Sequence, residues 1–105
     1  MPLTRLTIRA ALQFAQYAVT VHRRRGAADI WFVHTRIPDG LVTKNGPFTR
    51  PVARKAQRVD RVFVSLLALG VAPAEASRLA RKAIAERNGE WRRMVMDVFS
   101  NGDVK

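Results

Sequence analysis

The chain contains no cysteine, which excludes disulfides, thiolate nucleophiles and the cysteine-rich kind of structural zinc site. Histidine is scarce, with only His22 and His34, and eight Asp and Glu stand against nineteen Lys and Arg. Long apolar runs are missing as well. The longest uncharged stretches, Ala10–His22 and Val62–Ala74, stop at 13 residues, short of the ~20 that cross a bilayer. No membrane partner is therefore expected. There is no glycine-rich phosphate loop, since Gly26, Gly40 and Gly46 are isolated turn glycines. Arg5 and Arg9 interrupt any secretory apolar region, and no small-residue cleavage site follows. Residues 1–28 are amphipathic and acid-free, as organellar presequences are, but are read as a structural first helix. A cysteine-free chain without these signals fits a reducing cytoplasm.

What the sequence has in excess is positive charge: a formal +11 and an isoelectric point near 11.7. Such a field attracts polyanions, whether nucleic acid, an anionic lipid surface or an acidic protein. At 105 residues and 48% hydrophobic content the chain is expected to form one domain with an adequate core.

Hydrophobic periodicity predicts a mostly α fold: a long N-terminal helix, a short β-hairpin or irregular insert, and a C-terminal three-helix unit. Over residues 4–25, Arg5, Arg9, Gln13, Gln16, Thr20, Arg23 and Arg24 recur at helical spacing. Leu6, Ile8, Leu12, Phe14, Ala15, Tyr17, Ala18, Val19 and Val21 fill the rest, so this helix is expected at the centre of the core. Gly26 is read as its stop. In residues 29–48, Ile30–Ile37 is β-branched and aromatic, Pro38-Asp39-Gly40 is a turn signal, and Leu41–Thr43 pairs back before Asn45-Gly46-Pro47. A second helix runs from Pro51 to Leu69, capped by Thr49, with Val52, Ala56, Val59, Phe63 and Leu66 as its core stripe. Gly70 ends it. A third, Pro73–Arg87, turns Ala76, Leu79, Ala80, Ala83 and Ile84 inward and stops at Asn88-Gly89. A fourth, Glu90–Phe99, buries Trp91, Met94, Val95 and Val98, and the tail Ser100–Lys105 is expected to fray.

The chemistry-bearing pattern lies on the second helix. Arg50, Arg54, Arg58 and Arg61 fall at i, i+4, i+8 and i+11 with Lys55 beside them, on the side away from the expected apolar stripe. Arg23, Arg24, Arg25, Arg36 and Lys44 extend the basic character upstream. Guanidinium forks match phosphate geometry, and such contacts position a protein on a nucleic-acid backbone. The plain alternative is a solvated helix face. Against it, like charges four apart repel, and only Asp60 lies near enough in sequence to relieve them.

Ala68-Leu69-Gly70, Pro73 and Glu75-Ala76-Ser77-Arg78 form a pattern that resembles the C-terminal domain of the RuvA family of Holliday-junction branch-migration proteins. The similarity covers roughly residues 60–99 and weakens through Lys82-Ala83-Ile84 and Trp91–Phe99. The resemblance implies a three-helix module of the ubiquitin-associated type that docks onto an AAA+ motor and does not itself grip DNA. Nothing here resembles that family's OB barrel or helix-hairpin-helix repeats. Read instead as a helix-turn-helix-like unit, the third helix would present Arg78, Arg81 and Lys82 outward to a partner.

Catalysis finds little support. Asp29, His34 and Asp39 lie close enough in sequence to suggest a metal-dependent nuclease, but hairpin polar residues are the simpler reading. The expectation is a non-enzymatic nucleic-acid-associated protein, an accessory factor or regulator, with DNA the leading partner and no cofactor or metal. Its phosphate contacts would come from Arg23, Arg24, Arg25, Arg50, Arg54, Lys55, Arg58 and Arg61. The alternative is an interaction module or inhibitor docking on an acidic protein surface, for instance an AAA+ motor. The Ala-, Arg- and Val-rich composition suits a high-GC bacterium, its phage or plasmid.

Overall fold

The computed structural model describes residues 5–26, 29–86 and 90–100. In chain order the elements are α1 (Arg5–Ala18), β1 (Val19–Arg23), β2 (Trp31–Arg36), β3 (Val42–Phe48), α2 (Arg50–Ala68), α3 (Pro73–Glu86) and α4 (Trp91–Ser100). The fold is therefore α+β and not mostly α. A helix leads into a three-stranded antiparallel sheet of order β1-β2-β3, and helices follow. The Asn88-Gly89 stop and the tail beyond Ser100 lie outside the described residues, as do the side chains of residues 5–7 and 99–100.

The expected long N-terminal helix ends at Ala18 because Val19–Arg23 form a strand. Val19, Thr20 and Val21 are β-branched, stiff in a helix and well suited to a pleated surface. They pair with Thr35, His34 and Val33 of β2. The carbonyls at the junction are taken up by α2. Arg61 Nη2 donates to the carbonyl oxygens of Gln16 at 3.1 Å and Val19 at 3.2 Å, and Gln57 Nε2 donates to Val19 at 3.3 Å. Thr20 and Arg23 matched a helical period only by coincidence. In β1 they are three apart and so point to opposite faces of the sheet.

The expected two-stranded hairpin is thus the β2–β3 part of a larger sheet, turning at Pro38-Asp39-Gly40. There Ile37 N–H donates to the Leu41 carbonyl and Leu41 N–H to Asp39 Oδ1, both at 2.9 Å. Asn45-Gly46-Pro47 does not follow the hairpin but lies inside β3, as a bulge. The register moves from Trp31↔Phe48 to Val33↔Asn45 across it. Only glycine fits at its apex. Gly46 has φ +139°, and a Cβ there would lie 2.7 Å from Phe32 Cδ1 and 2.8 Å from the Trp31 carbonyl oxygen.

α2 is the central helix, not α1. It packs against α1, the sheet, α3 and α4, so the last three helices do not form a unit apart from the rest. Of the expected core stripe, Leu66 is buried and Ala56, Val59 and Phe63 pack half-buried against the core, and Val52 alone is turned out. Ala53, Val62, Val64, Ser65 and Leu66 are fully buried, whereas Val52 is 50% exposed. The C-terminal half of α2 is enclosed on several sides, while its N-terminal half stands at the edge. Among the described side chains of α1 the buried ones are Ala11 and Ala15, and Tyr17 is 72% exposed. α3 buries Ala76, Leu79, Ala80 and Ile84, and α4 buries Trp91, Met94, Val95 and Val98.

The α2–α3 corner is a Schellman turn. Val71 N–H donates to the Leu66 carbonyl at 2.9 Å and Gly70 N–H to Leu67 at 3.0 Å. Gly70 takes φ +91°, the left-handed conformation this turn requires.

Candidate functional site

The basic stripe begins where the sheet meets the start of α2. Thr49 occupies the cap position but its side chain makes no capping bond. The cap comes from Asp29, 21 residues earlier, whose Oδ1 accepts Arg50 N–H at 3.0 Å. The same oxygen accepts the indole N–H of Trp31 at 3.0 Å. A carboxylate at this end complements the helix dipole. The Arg50 guanidinium stands 5.8 Å from the centre of the Trp31 ring. Arg23 lies opposite Trp31 on β1, and Arg24 N–H closes the β1–β2 turn on the Ile30 carbonyl at 2.7 Å. Arg23, Arg24, Arg25 and Arg50 are therefore gathered, exposed, at one end of the molecule.

Further along α2, Arg54, Lys55, Arg58 and Arg61 line a cleft of about 400 Å³ whose other wall includes Glu90 and Trp91 at the start of α4. Arg54 and Lys55 are exposed, and Arg58 and Arg61 are half-buried. The Nε atoms of Arg58 and Arg61 are buried without a hydrogen-bond partner. Burial, with Arg92 and Arg54 close by, lowers the Arg61 pKa from its ordinary value, while Glu90 acts in the opposite sense. The guanidinium nevertheless stays charged, as arginines in proteins do. Arg61 and Arg92 both stand near the Trp91 ring, 5.6 and 4.7 Å from its centre. Arg92 also pairs with Glu90 at 2.8 Å and donates to the side-chain oxygen of Gln16. Glu90, the one acid among the described residues of the cleft, is thus already engaged.

Asp60 does not relieve the stripe as its position in sequence suggested. It points to the sheet, where its Oδ2 accepts the hydroxyl of buried Thr35 at 2.7 Å. Burial raises its carboxyl above the ordinary range, and the Thr35 bond works in the opposite direction.

The α3 residues lie elsewhere. Arg78 Nε donates to Glu75 Oε2 at 3.0 Å and its Nη2 to Oε1, which holds the Glu75 carboxyl below its usual range. Arg81 and Lys82 are exposed, and Arg81 borders a separate cleft of about 230 Å³ with Asp60 and Phe63. The structure does not bring the two basic sets together.

Asp29, His34 and Asp39 do not converge either. Asp29 caps α2, Asp39 closes the β2–β3 turn, and His34 stacks on His22 with ring centres 4.1 Å apart. Among the described residues no group of three or more His, Asp or Glu could hold a metal ion. None of their helices is long and apolar enough to cross a membrane.

A further groove, about 720 Å³, lies between α1 and the outer face of the sheet, lined in part by Phe14, Tyr17, His34, Arg36 and Val42. Sequence reasoning missed it because Tyr17 was assigned to the core. The period-2 alternation of β2 was the available signal. Set against protein-family models, curated proteins and solved structures, the chain matches none.

Proposed function

We propose that this protein binds nucleic acid, with DNA the leading candidate, as a non-enzymatic accessory or regulatory factor. The phosphate backbone would run along α2 from the β1–β2 turn to the α4 cleft. One observation carries the reading: Arg54, Lys55 and Arg58 open into a cleft where Glu90, the one carboxylate among the described lining residues, is already paired with Arg92. A phosphate entering there meets cations without displacing an internal partner. Arg58 is already half-buried, so part of the cost of drying its guanidinium has been met in folding. Arg23, Arg24, Arg25 and Arg50 extend the track at its upper end, while Arg61 serves the fold through the Gln16 and Val19 carbonyls.

Fluorescence anisotropy against duplex, single-stranded and branched DNA over a salt series tests this. The logarithm of affinity should fall linearly with that of salt, with a slope of ~0.9 per phosphate neutralised on duplex. Replacing Arg54 and Arg58 together by Gln should make the slope shallower by about 1 for each arginine. Absence of binding to every form at low salt would overturn the reading. It would favour docking on an acidic protein surface such as that of an AAA+ motor, through Arg81 and Lys82, which are exposed on α3.

A further inference from the structure

The outer face of the sheet differs in character from the arginine cleft. Strand alternation puts Thr20 and His22 of β1, Phe32 and His34 of β2, and Lys44 of β3 on one surface. His34 pairs across the strands with Thr20 and Lys44. The His22 and His34 rings stack at an interplanar angle of 27°, and Lys44 Nζ lies 4.4 Å from the centre of the Phe32 ring. α1 flanks this surface and supplies Tyr17, 72% exposed, as one wall of the 720 Å³ groove. His34 and Arg36 line the same groove, and among the described residues no Asp or Glu does. Three of the chain's large exposed apolar residues, Tyr17, Leu41 and Val42, lie in or beside it. Water-exposed rings and apolar side chains cost free energy unless something covers them, and contiguous patches of this kind mark binding sites.

We infer that this groove is a second site, which takes unpaired bases of a single nucleic-acid strand between Tyr17 and His34, with Arg36 and Lys44 meeting the flanking phosphates. The choice of occupant rests on charge and ring chemistry together. A rim that is cationic and, among the described residues, free of acids selects a polyanion on a chain of net charge +11. Tyrosine and imidazole rings offer π-faces, which stack on any base, and paired bases keep theirs covered. Lys44, which faces His34 from β3, adds a charge of the sign that attracts phosphate. The inference extends the proposed nucleic-acid binding but uses none of its residues, so the two can fail separately.

The experiment compares a labelled oligothymidylate, an abasic sugar-phosphate oligomer of the same length, and the duplex of the first with oligoadenylate. Wild-type protein should prefer the oligothymidylate to the abasic strand at equal salt. Tyr17→Ala and His34→Ala should each weaken oligothymidylate binding by roughly five- to 150-fold, the effect of losing one stacking ring. Neither should change abasic or duplex binding, and Tyr17→Phe should restore the preference. Tyr17 is exposed, so its variants should melt like the wild type, which separates lost binding from lost fold. Arg54→Gln with Arg58→Gln should do the opposite, weakening duplex and abasic binding while keeping the base preference. Equal wild-type affinity for the oligothymidylate and the abasic strand would overturn the inference. So would a self-associating protein, without base preference, whose dimer is dissolved by Tyr17→Ala. That result would assign the groove to a second copy of the chain.

Discussion

Arg61 Nη2 lies 3.2 Å from the carbonyl oxygen of Val19, 42 residues earlier, and joins the central helix to the point where α1 becomes β1. The same nitrogen holds the Gln16 carbonyl at 3.1 Å. Helix ends leave carbonyls without internal partners, and here α2 provides them. Arg61→Gln should therefore cost stability and not only charge. Leaving a partly buried carbonyl unpaired costs about 1–3 kcal/mol, and each kcal/mol lowers the melting temperature of a domain this size by roughly 4–8 °C. Arg54→Gln, on an exposed residue, serves as the control. If both variants melt alike, Arg61 is no more structural than its neighbours.

Gly70→Val tests the α2–α3 turn. A β-branched residue is strained at the φ of +91° found there, although nothing stands within 4 Å of the position a Cβ would take. The cost should exceed the ~1 kcal/mol typical of a point change. Ala76→Leu, at a fully buried position, should overpack α3 by about 1–3 kcal/mol. Calorimetry of the two variants decides whether the corner is as tight as described, since wild-type melting in both would contradict it.

Asp60 makes a prediction about pH. Burial pushes its carboxyl above the ordinary value of 3.8. The folded state then holds its proton more tightly than the unfolded one. The sign follows: this residue's contribution to stability is greatest below about pH 3.8 and is lost as pH rises through the folded pKa. Asp60→Asn keeps an acceptor for Thr35 and removes the buried charge. It should melt higher than the wild type at neutral pH, and the gap should close in acid. Asp60→Ala should melt lower, because it leaves the buried Thr35 hydroxyl without its acceptor. A lower melting temperature for the Asn variant at neutral pH would show that the charge itself is needed.

His34 behaves in the reverse sense. Burial, then His22, then Lys44 lower its pKa from 6.5, so the unfolded chain binds the proton more readily. Stability attributable to His34 is present above about pH 6.5 and falls as pH drops through the folded pKa. His34→Phe should flatten that part of the profile. Urea titrations at neutral pH and at about pH 5 measure it, and an equally steep acid loss in the variant would place the cause elsewhere.

The helices α3 and α4 were legible because local signals agreed with the fold there. Pro73 opens the one, Trp91, Met94, Val95 and Val98 trace the buried face of the other, and Gly70 marks the corner between α2 and α3. β1 was not legible. Val19, Thr20 and Val21 carry a strand propensity that a helical polar period masked, and the deciding contacts come from Gln57, Arg61 and β2, far along the chain. The site was half legible. The spacing of Arg54, Lys55 and Arg58 gave their common cleft, but not that Trp91 and Glu90 would form its other wall. Nor did the letters separate Arg61 from the arginines beside it, because nothing local distinguishes a guanidinium that binds backbone from one that faces water. Asp29 as the cap of α2 was equally hidden, being supplied by a residue 21 positions away.

The bulge at Gly46 has a consequence for how copies of this chain meet. β3 is the outermost strand on its side of the sheet, and it is exposed from Val42 through Pro47. A flat strand in that position invites a neighbouring chain to add its own and start a growing ribbon. This one is poorly shaped for it. The extra residue at Gly46 twists the strand away from straight pairing, Pro47 has no N–H to offer, and Lys44 sets a charge where a second copy would bring another. The irregularity that lets the backbone close over Phe32 also protects the protein against edge-to-edge aggregation.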